Sequence, residues 1–311
     1  MAASDLWVEK YRPKTVNDYV FKDANLKDQV KHWIADKSIP QLMITGPAGT
    51  GKSSLAGVLI NELGVLPTDI LVSNASKDAR RIDWLNDKLV GFCETMPFGE
   101  FKVVLLEEFD YSNANSVQPA LRNLSEEYSQ FVRFILTANY PHRIIPAIHS
   151  RFQHIRIEKH DKTEFTARMA TILIEENVAF DLDTLDAHVN ATYPDMRKCI
   201  NNLQLSSLDG KLLLTNGNDS TLDYKEKMVE LFEQDKILEA RKLLCENARP
   251  EEMEEIYTWL YKNLQLFGDN ESTQFKALQI IKRGLVDHVV CSDAEINLSA
   301  TLVALFENKN K

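Results

Sequence analysis

Short apolar runs alternate with amphipathic segments through the first half of the chain. The apolar runs predict buried strands at residues 41–45, 69–72, 101–106 and 131–137. The segments with helical periodicity are residues 53–63, 83–93 and 116–128. Pro119 fits the first turn of the last of these helices. Strands that alternate with helices predict βαβ units on a mostly parallel sheet.

After residue 152 the pattern becomes entirely helical. Helices are predicted at 163–177, 182–191, 195–205, 224–234, 236–247, 251–266, 272–290 and 294–306. Residues 216–220, with the sequence Asn-Gly-Asn-Asp-Ser, are typical of a linker. We therefore predict three parts, namely an α/β domain at 1–152, a small helical domain at 153–217 and an all-α domain at 218–311. The last part is either a plain helical bundle or an oligomerisation domain.

Composition and charge narrow the class of protein. The 311 residues are 44% hydrophobic and 26% charged, which is typical of a globular chain. No apolar stretch approaches a membrane span, and residues 1–10 carry Asp5 and Glu9 and do not resemble a signal peptide. The four cysteines include no Cys-x-x-Cys pair, so neither a zinc site nor a disulfide framework is expected. We expect no membrane association and a cytoplasmic location.

The net charge of −10 does not exclude a nucleic-acid partner. Residues 1–152 hold 17 basic and 18 acidic side chains, a net of −1. The remaining 19 basic and 28 acidic side chains give residues 153–311 a net of −9. The acidity therefore lies in the helical half, and the α/β half can carry a local basic surface.

A glycine-rich octapeptide joins the first predicted strand to its helix. Its residues, which fit Gly-x-x-x-x-Gly-Lys-Ser, are Gly46, Pro47, Ala48, Gly49, Thr50, Gly51, Lys52 and Ser53. Such glycines allow backbone N–H groups to surround phosphate oxygens at a helix N-terminus. Lys52 is expected to reach the β- and γ-phosphates of ATP, Ser53 to ligate Mg²⁺, and Ser54 to complete the nucleotide-binding set. The alternative is a glycine-rich turn without a ligand.

Two carboxylates follow the strongly apolar third strand. Glu107 and Glu108 come directly after Val103 to Leu106, at the strand end where ligands bind in open α/β sheets. We expect Glu107 to help hold Mg²⁺ and Glu108 to polarise the attacking water. Taken alone, the pair would be interpreted as solvated loop carboxylates, but a phosphate-binding loop precedes it.

Several further motifs resemble those of the sliding-clamp loaders of the AAA+ class. They are Trp7-Val8-Glu9-Lys10-Tyr11-Arg12-Pro13, Ser73-Asn74-Ala75-Ser76, Thr137-Ala138-Asn139 and Ser150-Arg151-Phe152. Within that family the chain most resembles the large, ATP-hydrolysing subunit of the T4-type bacteriophage clamp loader, and it is also similar to the small subunits of replication factor C. The resemblance implies an AAA+ P-loop NTPase module followed by a helical lid and a helical collar.

The family's architecture implies the chain's partners. The resemblance implies a five-subunit spiral, usually of four copies of this chain and one distinct subunit, with ATP and Mg²⁺ between neighbours. The spiral would open a sliding clamp on primer–template DNA, and DNA-triggered hydrolysis would release the closed clamp. If a phage encodes the chain, its location would be the host cytoplasm.

The resemblance also assigns roles to individual residues. Asn139 corresponds to the sensor-1 asparagine, Arg197 to the sensor-2 arginine, and Arg151 to the arginine finger that reaches a neighbour's ATP. The residues that would line the adenine and ribose are Tyr11, Arg12 and Pro13. Each residue also has a plainer interpretation. Asn139 could simply cap a turn, Arg197 could be a solvated charge on a helix, and Arg151 could form a surface ion pair. Residues 11–13 could form a structural N-terminal turn. The chain departs from the family at Glu107, which is usually Asp, and at Phe152, which is usually Cys.

The expected DNA-binding surface consists of a basic cluster at residues 77–81 and the N-terminus of the helix that follows Glu108. The expected phosphate contacts are Lys77, Arg80, Arg81, Asn113, Asn115 and Ser116. Arg122, further along the same helix, would couple DNA contact to Glu108 and to the next subunit. We hypothesise that Arg80 or Arg81 holds Glu108 inactive until DNA displaces it. The plainer interpretation of residues 77–81 is a solvated charged turn.

Two other classes of function compete with clamp loading. Another AAA+ motor, such as a branch-migration helicase or a protein remodeller, would form a hexamer and need a pore loop, and the sequence has no aromatic-hydrophobic-Gly pore loop. The protein could instead be a non-catalytic binding module. In that case Glu107 and Phe152 would mark a nucleotide site that has lost its activity. A native mass corresponding to a homohexamer would favour the other motor. ATP turnover that primed DNA stimulates and that Lys52→Ala abolishes would exclude the non-catalytic module.

Overall fold

The computed structural model describes most of the chain. The described residues are 6–77, 85–208, 210–213, 227–232, 234, 236–247, 253–268, 270–288, 291 and 293–309. Two compact units divide the chain, Met1–Leu214 and Thr215–Lys311. The division of the first unit into an α/β domain and a lid at residue 152 stays a prediction.

The first unit contains a five-stranded parallel sheet. Its strands are β1 (Leu42–Thr45), β2 (Ile70–Asn74), β3 (Lys102–Glu107), β4 (Val132–Ala138) and β5 (Gln153–Arg156), in the order β2-β3-β4-β1-β5. The four predicted strands are confirmed to within two residues at each end. The pattern did not predict β5, because Ile155 is its only buried residue and a single apolar position does not form a periodic signal.

Helices cover both faces of this sheet. They are α2 (Ala24–Ala35), α3 (Lys52–Glu62), α4 (Gly91–Glu94), α5 (Val117–Glu127) and α6 (Pro146–His149), and they follow the short helix α1 (Trp7–Lys10), which packs elsewhere. One core includes Leu55, Leu59 and Val103, and another includes Leu121, Val104 and Phe134. The predicted helix at 83–93 differs in form, since Leu85–Val90 is a π-helical stretch that continues into α4, and residues 83 and 84 lie outside the described part.

A small helical group completes the first unit. It consists of α7 (Lys162–Glu175), α8 (Leu182–Thr192) and α9 (Met196–Ser206), followed by the short hairpin β6 (Ser207–Leu208) and β7 (Lys211–Leu212). Asp161, Asp181 and Asp195 begin these helices, and each side chain accepts a backbone N–H of the first turn. Trp7 and Tyr11 belong to the same apolar core as these helices, so the N-terminal segment packs on α7, α8 and α9.

The second unit is all helical in its described residues. It contains a helical stretch at 227–232, α10 (Ile237–Asn247), α11 (Met253–Lys262), α12 (Glu271–His288) and α13 (Ala294–Lys309). Gly284 allows α12 and α13 to approach closely, because a Cβ there would lie 2.3 Å from Thr301 Oγ1. Buried Asn297 donates to Tyr257 Oη at 2.7 Å and to the Gly284 carbonyl at 2.8 Å. The predicted fold class, a parallel α/β domain with C-terminal helices, is confirmed.

Candidate functional site

The glycine-rich loop connects β1 to α3, and its backbone conformation is accessible to glycine but not to residues with a side chain. Gly49 has φ of 74°, and a Cβ there would lie 1.9 Å from Asp195 Oδ1. Gly46 has φ of 153°, and a Cβ there would lie 2.0 Å from the Ile157 carbonyl oxygen. Neither close approach tolerates a side chain. The loop therefore forms a cradle of exposed backbone at the N-terminus of α3.

Lys52 lies folded back on this loop. Its side chain is 8% exposed, and Nζ donates to the Pro47 carbonyl at 2.5 Å. Burial lowers the pKa of Lys52 to about 8, and the negative charge of Asp110 opposes part of that shift. The lowered pKa means that the nearby carboxylates do not fully compensate the cost of burying the Lys52 ammonium. A bound phosphate would supply the remaining negative charge.

The predicted carboxylates lie at the C-terminal end of β3. Glu107 is the last residue of the strand and pairs in register with Asn74 of β2. Glu108 has φ of 53°, a left-handed conformation that is unfavourable for a residue with a side chain. Its N–H donates to Thr137 Oγ1 at 3.2 Å. Strained backbone of this kind is concentrated at functional sites, where the surrounding structure holds it.

Asp110 is a site residue that the pattern did not reveal. It is buried, and its carboxylate accepts the N–H groups of Asn139 at 3.3 Å and Tyr140 at 3.2 Å. These bonds join the loop after β3 to the loop after β4, so Asp110 fixes where Asn139 lies relative to Glu108. A carboxylate in a short loop carries no sequence signal for such a contact, since the partner is 29 residues away.

The start of α9 contacts the phosphate-binding loop. The Met196 N–H donates to the Gly49 carbonyl at 3.2 Å, and the Asp195 carboxylate lies directly against Gly49. The next residue is Arg197, which lines the same cavity as Lys52. The predicted sensor-2 position therefore lies at the nucleotide loop.

These elements surround one cavity of about 340 Å³. The predicted residues that line it are Tyr11, Arg12, Pro13, Ala48, Gly49, Gly51, Lys52, Ser53, Ser54, Glu107, Glu108, Asn139 and Arg197. Gly46, Pro47 and Thr50 are absent from the lining and shape the loop, where the Pro47 carbonyl accepts bonds from Thr50 Oγ1 and Lys52. The lining residues that sequence reasoning missed include Asp18, Tyr19, Asn74, His160 and Arg168.

The N-terminal segment is hydrogen-bonded to α7 and to Glu176, the residue that follows it. Tyr11 Oη donates to Glu176 Oε1 at 2.7 Å, and Lys10 Nζ donates to the same oxygen at 2.7 Å. Arg168 donates to the Tyr11 carbonyl at 3.2 Å. The Tyr11 hydroxyl proton is therefore already donated to Glu176, and Tyr11 also lines the cavity.

Arg151 does not line the cavity of its own chain. It follows α6 and forms an ion pair with Glu126 of α5, with Nη2 and Oε1 2.6 Å apart. Phe152 beside it is a buried core residue, which accounts for an apolar side chain at that position.

The expected DNA residues are only partly described. Lys77 is exposed after β2, whereas Arg80 and Arg81 lie outside the described residues. Asn113 Oδ1 accepts the N–H groups of Asn115 at 2.9 Å and Ser116 at 3.1 Å, so this amide closes the turn before α5. Arg122 is exposed on α5.

The donor set fits a magnesium nucleotide. The loop supplies backbone N–H groups and Lys52, while Ser53 and Glu107, the predicted magnesium ligands, carry oxygen atoms in the same cavity. Within the described residues, no group of three or more His, Cys, Asp or Glu side chains lies close enough to hold a metal ion alone. Magnesium here would therefore also depend on phosphate oxygens, which is its usual arrangement at nucleotide sites.

Comparisons with known proteins agree with this site. The ATPase family associated with various cellular activities (AAA) matches residues 42–159. A replication factor C small subunit from Sulfurisphaera tokodaii is 34% identical over 312 residues, or 96% of this chain and 94% of that protein. Another from Archaeoglobus fulgidus is 35% identical over 253 residues, or 77% of each chain. The solved Thermotoga maritima RuvB Holliday junction branch migration motor aligns with a TM-score of 0.56 over 71% of this chain and 79% of that chain, at 15% identity.

The fold, the phosphate-binding loop and the family match define an AAA ATPase, so the protein is an ATP-hydrolysing enzyme. The chain belongs to the replication factor C small-subunit family. The likeness to RuvB, at 15% identity, shows a shared fold. None of the helices in the described part of the chain has the length and apolar character needed to cross a bilayer.

Proposed function

We propose that this protein is the ATPase subunit of a sliding-clamp loader. The observation that supports the proposal is that the predicted catalytic charges of the chain do not all lie in one cavity. Lys52, Glu108 and Arg197 line one cavity, whereas Arg151 lies outside it. Such a separation suits a site that a neighbouring subunit completes. The family relationship supports replication as the context.

Each lining residue has a chemical task in hydrolysis. Lys52 and the backbone N–H groups of the loop bind the β- and γ-phosphates and offset their charge. Glu108 orients the attacking water and accepts its proton, and Asn139 hydrogen-bonds the water or the γ-phosphate. Ser53 and Glu107 would hold Mg²⁺, which supplies charge neutralisation at the transferred phosphoryl group.

We assign the remaining cations to sensing and coupling. Arg197, at the start of α9, joins γ-phosphate contact to the position of the lid. Arg151 enters the neighbour's site as an arginine finger after separating from Glu126. A finger of this kind contributes about 10³–10⁵ in rate in related phosphoryl transfer.

The assembly that we propose is a pentamer of four copies with one distinct small subunit. Primer–template DNA would contact Lys77, Arg80, Arg81 and the segment from Asn113 to Ser116 through phosphates, and Arg122 would relay this contact to Glu108. Within the assembly, ATP binding opens the clamp and hydrolysis releases it. The particular similarity to the T4-type phage subunit, and with it a host cytoplasm, belongs to this proposal as well.

A preformed apolar loop supports clamp binding. Met96 is 68% exposed and Phe98 81% exposed. Fully buried Asp69 accepts the N–H groups of Phe98 at 3.0 Å and Gly99 at 2.7 Å. On the other side, buried Lys102 donates to the Phe92 carbonyl at 2.7 Å and to Thr95 Oγ1. Asp69 and Lys102 therefore fix the backbone on both sides of an exposed aromatic side chain, which lowers the cost of ordering the loop in a protein contact.

ATP turnover in the presence of a candidate small subunit, clamp and primed DNA tests the function. Primed DNA should stimulate turnover more than unprimed DNA does, and Lys52→Ala should abolish it. Lys31→Ala, which changes an exposed lysine on α2, is the matched control. Full, DNA-independent turnover by an isolated monomer would contradict the proposal.

A branch-migration motor is the second candidate, and the RuvB-like fold is the observation that favours it. Native mass spectrometry separates the two, because a motor of that kind would form a homohexamer and a clamp loader a mixed pentamer.

A further inference from the structure

Arg151, the proposed finger, lies in a short segment between two histidines that contact each other. His149 is the last residue of α6, and His154 lies on β5. Their rings stack with centroids 4.7 Å apart and planes at 27°. Nδ1 of His149 lies 2.9 Å from Nε2 of His154. This contact closes the segment that carries Arg151 into a small loop.

His149 also contacts the loop after β4, which carries Asn139. Its Nε2 lies 3.0 Å from the Pro141 carbonyl oxygen. The same loop is bonded to the loop after β3, because the Asp110 carboxylate accepts the N–H groups of Asn139 and Tyr140. His149 therefore joins three elements, namely the loop after β4, the end of α6 and β5.

The partners of the two rings determine where their protons lie. A carbonyl oxygen only accepts hydrogen bonds, so His149 Nε2 carries a proton and Nδ1 of the neutral ring is an acceptor. His154 Nε2 is therefore the donor in the bond between the rings. Burial lowers the pKa of His154, and positive charge on His149 lowers it further, so the His154 ring stays neutral at neutral pH.

The segment that carries Arg151 depends on contacts outside its own helix. A helix as short as α6 is not stable by itself. Phe152 fixes one side of the segment in the core, and the histidine contact bonds the end of α6 to β5. Once Arg151 separates from Glu126, the backbone of this segment alone sets where the guanidinium lies. A misplacement of about 1 Å can lower a reaction rate about 100-fold.

We propose that His149 and His154 are positioning residues for Arg151. The bond between their rings fixes the segment that carries the finger, and the bond to Pro141 ties this segment to the loop of Asn139. Neither histidine lines the nucleotide cavity, so the pair acts on turnover at the neighbour's site and not on nucleotide binding by its own chain. The inference rests on the proposed function, because it requires Arg151 to act as a finger.

Two substitutions of His154 test the assignment in the assembly with a candidate small subunit, clamp and primed DNA. His154→Leu removes the donor, whereas His154→Gln keeps an N–H donor. We expect His154→Leu to lower kcat about 10-fold, the effect of one hydrogen bond, and to leave the ATP affinity of the chain unchanged. His154→Gln should recover most of the rate.

Subunit mixing shows at which site the variant is defective. His154→Leu chains mixed with Lys52→Ala chains should regain part of the lost activity. Some junctions then combine the intact phosphate-binding loop of one chain with the intact finger segment of the other. A loss of activity from altered folding of the His154→Leu chain itself would not be recovered in this way.

His32→Leu is the matched control, because His32 is an exposed histidine on α2 that lies 3.2 Å from Asp36, and it should keep full activity. An unchanged kcat in His154→Leu, an equal loss in His154→Gln, or a loss of ATP affinity as large as the loss of kcat would overturn the inference. Arg151→Ala separates this failure from that of the proposed function. If Arg151→Ala turns over ATP like the wild type, the finger itself is wrong; if only His154→Leu does, the positioning role alone is wrong.

Discussion

The Arg151 guanidinium lies 2.6 Å from the Glu126 carboxylate of the same chain. The Arg151 side chain is only 28% exposed, so α5 holds the proposed finger close to the protein surface. The same helix begins beside the proposed DNA contacts at Asn113 and Ser116. A single helix therefore joins the group that would contact DNA to the group that would complete a neighbour's active site.

We predict that Arg151→Ala lowers ATP turnover of the assembly by about 10³-fold or more, while nucleotide affinity stays within a few fold. The surface ion pair with Glu126 is worth about 1 kcal/mol or less, so the melting temperature should change little. Steady-state turnover and nucleotide titration measure the two effects. Arg156→Ala is the matched control, because Arg156 forms an exposed ion pair with Glu158 at 2.8 Å.

Subunit mixing locates the defect. Mixtures of Arg151→Ala chains with Lys52→Ala chains should regain part of the activity, because some junctions then combine an intact loop with an intact finger. If the mixtures show no activity above that of the separate variants, Arg151 acts within its own chain and the composite site is wrong.

The sequence predicted four of the five strands and the phosphate-binding loop because these features depend on local patterns. Apolar runs such as Val103 to Leu106 identify buried strands without knowledge of their neighbours. Asp110, Tyr19 and His160 were missed because contacts with distant segments bring them to the site. The Tyr11 hydroxyl illustrates the same limit, since its partner Glu176 is 165 residues away.

Glu108 is both the proposed proton acceptor and a residue with strained backbone. Its replacement should therefore change the stability and the activity in opposite directions. Glu108→Gly should raise the free energy of unfolding by about 0.5 to 1 kcal/mol, because glycine adopts a left-handed φ without steric cost. The same change should lower hydrolysis by about 10²–10⁴-fold, since the proton acceptor is lost. Denaturant titration and turnover assays measure the two quantities.

Lys37→Gly provides the control for strain alone. Lys37 also has a positive φ, 48°, at an exposed position after α2. It should gain similar stability and keep full activity. Should Glu108→Gly prove less stable than the wild type, the conformation at Glu108 is not a source of strain.

The buried ammonium of Lys52 predicts how nucleotide binding depends on pH. The pKa of Lys52 in the nucleotide-free protein is about 8, against 10.5 for an ordinary lysine. A bound triphosphate favours the protonated form, so affinity for ATP should fall as pH rises above about 8, by up to about tenfold per pH unit. Calorimetry in buffers of different ionisation enthalpy should also show proton uptake on binding at pH 9.

The same pKa makes a prediction for stability with the opposite sign. Between pH 8 and 10.5 the unfolded chain binds more protons at Lys52 than the folded chain does, so this residue makes the nucleotide-free protein more stable as pH rises. Lys52→Met removes the titrating group and should abolish both trends. An ATP affinity that is constant from pH 7 to pH 9.5 would show that Lys52 is not desolvated.

The loop that carries Phe98 gives the last prediction, which concerns the clamp. Phe98→Ser should weaken binding of the assembly to a candidate clamp by about 10-fold or more, because truncation of a preorganised aromatic anchor commonly costs 2 kcal/mol or more. ATP turnover without the clamp and the melting temperature should not change, since the Phe98 side chain is 81% exposed. Surface plasmon resonance with a non-hydrolysable ATP analogue measures the affinity.

The control and a second variant identify what the loop does. Ile174→Ser changes another exposed apolar residue, 65% exposed on α7, and should bind the clamp normally. Asp69→Asn weakens the charged acceptor that fixes the backbone at Phe98 and Gly99, so it should lower clamp affinity while Phe98 itself is intact. Normal clamp binding by Phe98→Ser would assign the contact to another surface. A loss in Phe98→Ser without any loss in Asp69→Asn would show that the aromatic side chain matters and that the rigidity of its loop does not.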